Sequence, residues 1–389
     1  MGTKRIFVML PLVCLLSALA DGQAVYSVTD LGPLSPTAIN SWAQVVGTSN
    51  NHAFLWTKRD GLKDLGILPG GTFSSAAAIN DFGIVAGTAD GPGTVVSILP
   101  NLPNLQCSDL IQPFIWTASN GMRGLGSIAT GGDADDPIQW CADSFLGTSI
   151  NDRGQVAGFD GGYGTDQFGF RWTKAAGMDF FGGSWPPTNV NAVSNRGEIV
   201  GQNSTDLTLF HGHATFWKDG VTTDLGSLGG GPDVVDFASA ANGVNDRGQI
   251  VGWSSTLSFS FLCYFGVEDG CTAHATLWSS SGTIVDLGTL PGDSFSVASK
   301  INFFGQVIGS SAGTAEFNLF SPSQVTGHPF VWSQRSGMRD LNTLIPANSG
   351  WVLNTATGIN FWGQIVGSGT RNGQPHGFLL TPRSPFQLF

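Results

Sequence analysis

Apolar residues in this chain come in short runs cut by Asn, Asp and Gly. That spacing predicts short β-strands joined by tight turns rather than long helices. The stretch Ile79-Asn80-Asp81-Phe82-Gly83-Ile84-Val85-Ala86-Gly87 shows the unit, and it returns at 150–158 and 244–252. Looser copies begin at Ile39, Val193, Ile301 and Ile359, which makes seven. Recurrence of one short unit along a chain is the mark of a repeat architecture.

Each copy is followed by a second apolar element, clearest in His52-Ala53-Phe54-Leu55-Trp56. Its relatives end at Trp116, Trp172, Trp217, Trp278 and Trp332, and the seventh ends with Leu380 in place of Trp. A third element, typified by residues 61–66, recurs around Leu125, Phe181, Leu225, Leu287 and Leu341. With the small apolar stretch before each Asn, every repeat offers four strands. The Asn-Asp-x-Gly between the first two is hairpin chemistry, because Asn and Asp accept turn hydrogen bonds and Gly takes positive φ cheaply. Six repeats keep that Gly; Ala43 is the exception. Runs such as Ala-Phe-Leu-Trp are apolar on both sides of a strand, as in sheets stacked face to face.

The seventh repeat stops after its third strand near Pro382, and residues 28–32 read as a fourth strand with no third before it. The expected fold is therefore all-β. It is a seven-bladed β-propeller of four-stranded blades, the last closed by the N-terminal strand, forming one domain over 21–389. A stacked β-solenoid gives no reason for such split ends.

Charged residues make up only 12% of the chain and Gly is abundant at 55, which suits many turns and few helices. Lys4 and Arg5 precede an apolar run over 6–16 that is too short to span a bilayer, and Ala18-Leu19-Ala20 is a cleavage signal. Residues 1–20 are thus expected to be a signal peptide, and the mature protein to be secreted, extracellular or periplasmic. Losing Lys4 and Arg5 takes the formal charge from −11 to −13. Such acidity argues against nucleic acid, and no later segment is apolar enough for a membrane span. Four cysteines remain, with no C-x-x-C spacing for zinc. In an exported chain they are candidates for two disulfides, Cys263–Cys271 within one loop and Cys107–Cys141 between neighbouring loops.

The tripeptide His52-Ala53-Phe54, with variants at 213–215 and 274–276, resembles the bacterial extracellular repeat family named for its His-Ala-Phe (HAF) motif. The resemblance covers nearly all of the mature chain. It implies export and a β-rich repeat fold, and it carries no catalytic residues across.

His52, His213, His274, His328 and His376 share one repeat position. Equivalent positions in different blades stand too far apart for one metal, whose ligands sit about 2 Å away. A hydrogen bond within the blade, to the turn Asn or the fourth-strand Asp, is the expected role. The G-x-S-x-G string at 309–313 lacks the strand-to-helix turn of a nucleophile elbow. Asp133, Asp135 and Asp136 could hold calcium, although their spacing is not that of an EF-hand. Length variation falls only between strands two and three and between repeats, which places every insertion on one face. Trp140, Trp185, Trp253 and Trp351 are assigned to that face as ligand-binding residues. The expected function is a binding module for a protein or glycan on the insertion-bearing face, with no cofactor. The alternatives are a secreted polysaccharide hydrolase or lyase, and a structural cell-surface component.

Overall fold

The computed structural model describes residues 25–97, 105–129, 145–160, 168–181, 188–204, 212–229, 238–256, 272–313 and 327–384. The expected signal peptide lies outside them, as do Asp133, Asp135, Asp136, Trp140, Trp185, Cys141, Cys263 and Cys271. Cys107 is described only through its backbone, paired with Gly93.

Blade 1 shows the plan. Its inner strand Ser35–Ile39, second strand Val45–Ser49, third strand His52–Thr57 and outer strand Gly61–Asp64 pair antiparallel in order. Six further blades repeat it over 74–124, 145–181, 188–224, 239–286, 295–340 and 351–382. The outer strand of blade 7 is Tyr26–Gly32, antiparallel to Gln374–Pro382. Thr357 Oγ1 of blade 7 donates to the Pro36 carbonyl of blade 1 at 2.9 Å, so the seven blades form a closed ring. The protein is a seven-bladed β-propeller. Blade 2 departs from the plan, because its second and third strands lengthen to Val85–Ser97 and Leu105–Thr117. Ser127–Ala129 then pairs parallel with that extension.

The apolar core lies between blades. Phe54, Phe114, Phe170, Phe330 and Phe378 occupy one third-strand position and are all buried. Blades 4 and 5 place Thr215 and Thr276 there, also buried, each hydroxyl donating to the carbonyl of the His two residues earlier at 2.9 Å. This is how blades absorb the departures from His-Ala-Phe.

Every inner strand carries a bulge at one position, held by Thr37, Ala77, Thr148, Asn191, Asn242, Ser299 and Thr357. A bulge bends the strand and breaks the local ladder. Six of these side chains use the break to reach the inner strand of the following blade. Thr37 Oγ1, for example, donates to the Ala76 carbonyl at 2.7 Å, and Asn242 Nδ2 donates to that of Ala298 at 2.9 Å. Ala77 has no donor to offer. The bulge also explains the Gly of the Val-x-Gly motif. A Cβ on Gly158 would sit 1.9 Å from the Leu146 carbonyl oxygen, and one on Gly201 1.8 Å from that of Asn189. All seven equivalent positions are glycine.

Candidate functional site

The hairpin that ends each inner strand points at the propeller axis, and there the repeat builds a layered pocket. Ile39, Ile79, Ile150, Val193, Val244, Ile301 and Ile359 form an apolar floor. Above them stand Asn40, Asn80, Asn151, Ser194, Asn245, Asn302 and Asn360. The outermost layer is Ser41, Asp81, Asp152, Asn195, Asp246, Phe303 and Phe361. They enclose a cavity of about 370 Å³.

The Asn layer is built from hydrogen-bonded amides, saturated where a Gln lies four residues on; blade 2 has Ile84 there, and Asn80 Nδ2 donates to the Asn151 carbonyl alone. Asn40 Oδ1 accepts the N–H groups of Trp42 and Gln44. Its Nδ2 donates to Gln44 Oε1 at 2.7 Å and to the Asn80 carbonyl of the next blade at 3.0 Å. All four amide valences are used, which is what a buried Asn requires. The hand-over to the next blade is repeated by Asn80, Asn151, Asn245, Asn302 and Asn360. Blade 4 changes both partners together. Ser194 replaces Asn, buried Glu198 replaces Gln, and Arg196 and Lys218 sit against Glu198 at 3.0 and 3.3 Å.

The rim layer is also linked across blades. Asp81, Asp152 and Asp246 each accept the backbone N–H of the rim residue before them. Asn195 lies between two of them and donates from Nδ2 to Asp152 at 2.8 Å and Asp246 at 2.9 Å. The mouth is therefore rigid and two-sided, with carboxylates and an amide across blades 2–5 and phenyl rings on blades 6 and 7.

The next hairpin position divides the surrounding surface again, with blade 2 now on the aromatic side. It holds Arg153, Arg196 and Arg247 on blades 3–5, and Phe304, Trp362, Trp42 and Phe82 on blades 6, 7, 1 and 2. Trp42, Phe82 and Trp362 are 74%, 75% and 60% exposed. Both indoles are nonetheless fixed. Trp42 Nε1 donates to the Asp81 carbonyl at 3.0 Å, and Trp362 Nε1 to that of Ser41 at 3.1 Å. Phe361 packs on Phe303, Phe304 and Trp362 with ring centroids 5.7, 4.8 and 5.0 Å away. The result is a pre-ordered arc of exposed aromatic rings beside an acidic pocket.

The residues assigned from sequence fall elsewhere. Trp253 is a correction: it is 0% exposed in the core among Ala238, Ala240, Ala273 and Val297, and cannot meet a ligand. It follows Gly252 in a second strand with all six residues buried, so blade stacking takes both faces. Trp351 is half-buried, edge-on to Phe378 and His376 at 6.1 and 6.2 Å. Trp140 and Trp185 lie outside the described residues, as do most of the insertions. Sequence reasoning passed over the hairpin face because its turns never change length. The missed signal was in the second hairpin residue, which varies as Ser, Asp, Asp, Asn, Asp, Phe, Phe after a position that is Asn in six repeats and Ser in the other.

The histidines take structural roles. His52, His213, His274 and His376 donate to the outer-strand Asp64, Asp224, Asp286 and Asp30. His328 instead reaches Asp293 at 3.2 Å. Each outer-strand Asp also accepts the N–H of the Gly two residues on, as Gly66 to Asp64 at 2.7 Å. Burial pushes the Asp64 carboxyl up, but the His52 and Gly66 hydrogen bonds outweigh it and hold the group below the usual carboxylate range. Ser311, the central Ser of the G-x-S-x-G string, is buried, donates to the Phe295 carbonyl and accepts the Leu290 N–H. Among the described residues no three His, Cys, Asp or Glu side chains are grouped to hold a metal ion.

No family model and no curated protein matches the chain. Solved structures do. An oligogalacturonate lyase in complex with manganese superposes with a TM-score of 0.51 at 11% identity, over 94% of this chain and 96% of that one. Virginiamycin B lyase from Staphylococcus aureus gives 0.47 at 8%, covering 91% and 99%. The β-propeller domain of the Trilobed protease from Pyrococcus furiosus gives 0.47 at 9%, covering 91% and 95%. At such identities the likeness concerns the fold, and fold alone does not transfer chemistry.

Proposed function

We propose that this propeller is a binding module for a glycan, seated on the hairpin face with one sugar unit in the axial pocket. The observation that carries the reading is the fixed arc of exposed aromatic rings running onto a pocket lined by carboxylates and an amide. Exposed aromatic clusters of this size on a soluble protein mark interaction surfaces. Asp81, Asp152 and Asp246 accept hydrogen bonds from hydroxyl groups, and flat rings pack against the C–H faces of sugars. Trp42 and Trp362 are already held by their indole N–H groups, so little side-chain freedom is lost on binding. An exported chain, the expectation from residues 1–20, would meet such ligands outside the cell.

Calorimetric titration against a panel of cello-, xylo-, chito- and uronate oligosaccharides tests the reading. Binding to a panel member, weakened at least tenfold by Trp42→Ala or Asp152→Asn without change in fold, supports it. Turnover of a panel member that Asp152→Asn abolishes would assign catalysis to the pocket instead. No binding across the panel removes the proposal.

A further inference from the structure

The third residue of each hairpin is the one whose side chain the fold leaves free. The first residue supplies the buried amide or hydroxyl, and the fourth takes positive φ. From the third, the turn uses the backbone N–H, which in every blade donates to the side chain of the first. Seven side chains therefore leave the face from equivalent, fixed positions. Exposed turns favour Asp, Asn, Ser and Gly, yet this position holds only aromatic residues on blades 6, 7, 1 and 2 and only arginine on blades 3–5. Arg153, Arg196 and Arg247 are exposed. Arg196 is ion-paired with Glu198 at 3.0 Å, whereas among the described residues Arg153 and Arg247 have no ion-pair partner. A Cβ on Gly248 would lie 3.4 Å from Arg196 Nη1, so that guanidinium reaches across to the hairpin that carries Arg247. Asp81, Asp152 and Asp246 line the axial pocket and the three arginines do not, so a cationic arc stands outside the acidic mouth.

We infer that the glycan of the hairpin face is acidic, a polymer of uronate sugars whose rings lie on the aromatic arc and whose carboxylates meet Arg153 and Arg247. The inference rests on the glycan reading and adds the ligand's charge to it. A guanidinium fork matches a planar carboxylate through two parallel hydrogen bonds, which an ammonium cannot do. The formal charge of −11 repels an acidic polymer from the surface at large. An exposed cationic arc gives such a polymer one place to land and fixes its orientation there. The pocket carboxylates keep its acid groups off the axis, so the sugar unit in the pocket presents hydroxyl groups. Trp42 and Trp362 are tied at Nε1 to the neighbouring hairpin, an arrangement suited to stacking on a sugar face and not to insertion into lipid.

The test is calorimetric titration with a panel of uronate oligosaccharides and with the same oligomers methyl-esterified, which keep the sugar and lose the charge. The acid form should bind about tenfold more tightly, the worth of one charge-assisted hydrogen bond. Its affinity should fall with added sodium chloride while that of the ester holds. Arg153→Gln combined with Arg247→Gln should erase the preference, and the corresponding pair of Lys substitutions should restore only part of it. Trp42→Ala should weaken acid and ester alike. Equal binding of acid and ester, or a preference that survives the double Gln variant, overturns the inference and leaves the glycan reading standing. Binding confined to neutral cello-, xylo- or chito-oligosaccharides does the same. Failure of every oligosaccharide removes the glycan reading and this inference with it, and cosedimentation with anionic phospholipid vesicles would then assign the face to a membrane.

Discussion

Asn360 donates from Nδ2 to the backbone carbonyl of Asn40 at 3.0 Å, across 320 positions of sequence. The same bond joins neighbouring blades elsewhere, so this contact makes the last blade adjacent to the first by the rule that places all the others. Replacing Asn40 with Ala leaves the Gln44 side chain and the Asn80 carbonyl without their partner. The expected loss is about 1–3 kcal/mol. Ser194→Ala, in the blade that uses a different network, should cost less. Denaturant unfolding of both variants checks the order.

Tyr26 is fully buried in the cluster of Leu341, Leu353, Phe378 and Leu380. Its strand supplies the outer edge of blade 7. Deleting residues 21–32 should expose the third strand Gln374–Pro382 as an unpaired edge and promote aggregation. Light scattering at increasing protein concentration measures this. A monodisperse, fully stable deletion variant would count against a closing role for the strand.

Trp253 and Trp42 should separate stability from recognition. Trp253→Ala removes a fully buried indole, and the expected cost is about 3–5 kcal/mol. Trp42→Ala removes an exposed one and should change stability by no more than about 0.5 kcal/mol, while weakening any ligand of the hairpin face. Melting curves and binding isotherms on the two variants provide the comparison.

Ala43 sits at φ 58° where the other six hairpins have Gly at positive φ. The left-handed region costs a residue with a Cβ about 1 kcal/mol. Ala43→Gly should therefore stabilise, by somewhat less than that because Gly also loosens the unfolded chain. Gly158→Ala should do the opposite. Its new methyl would overlap the Leu146 carbonyl, and overpacking against backbone costs about 3 kcal/mol.

The acid limb of the stability curve reports on the outer-strand aspartates. Burial pushes the Asp30 carboxyl up, but the Gly32 N–H, His376 and Arg371 outweigh it and lower its pKa. A carboxylate with a lowered folded pKa contributes stability above its unfolded value. That contribution disappears as pH falls through the folded value. Asp30→Asn should thus be less stable than the parent at neutral pH, with the difference shrinking below pH of about 4. Urea unfolding at successive pH values measures the convergence; a constant gap across the range would contradict it.

The sequence by itself determined the repeat, the blade count and the strand order within a blade. Those depend on local chemistry: a hairpin needs Asn, Asp and Gly at fixed offsets, and a sheet buried on both faces needs apolar runs such as Ala53-Phe54-Leu55. A hydrogen-bonding role within the blade was legible for the histidines, with the turn Asn and the fourth-strand Asp both open as partners; the structure gives the Asp to four of them and Asp293 to His328. Tertiary structure alone decided which surface is concave, aromatic and acidic. Asp81, Asp152 and Asp246 are widely separated in sequence, and each reads as an ordinary turn residue. Only ring closure brings them around one axis with Phe303 and Phe361. Trp253 shows the reverse: its place after a conserved-looking strand motif gave no sign of burial, because burial there depends on how the next blade stacks.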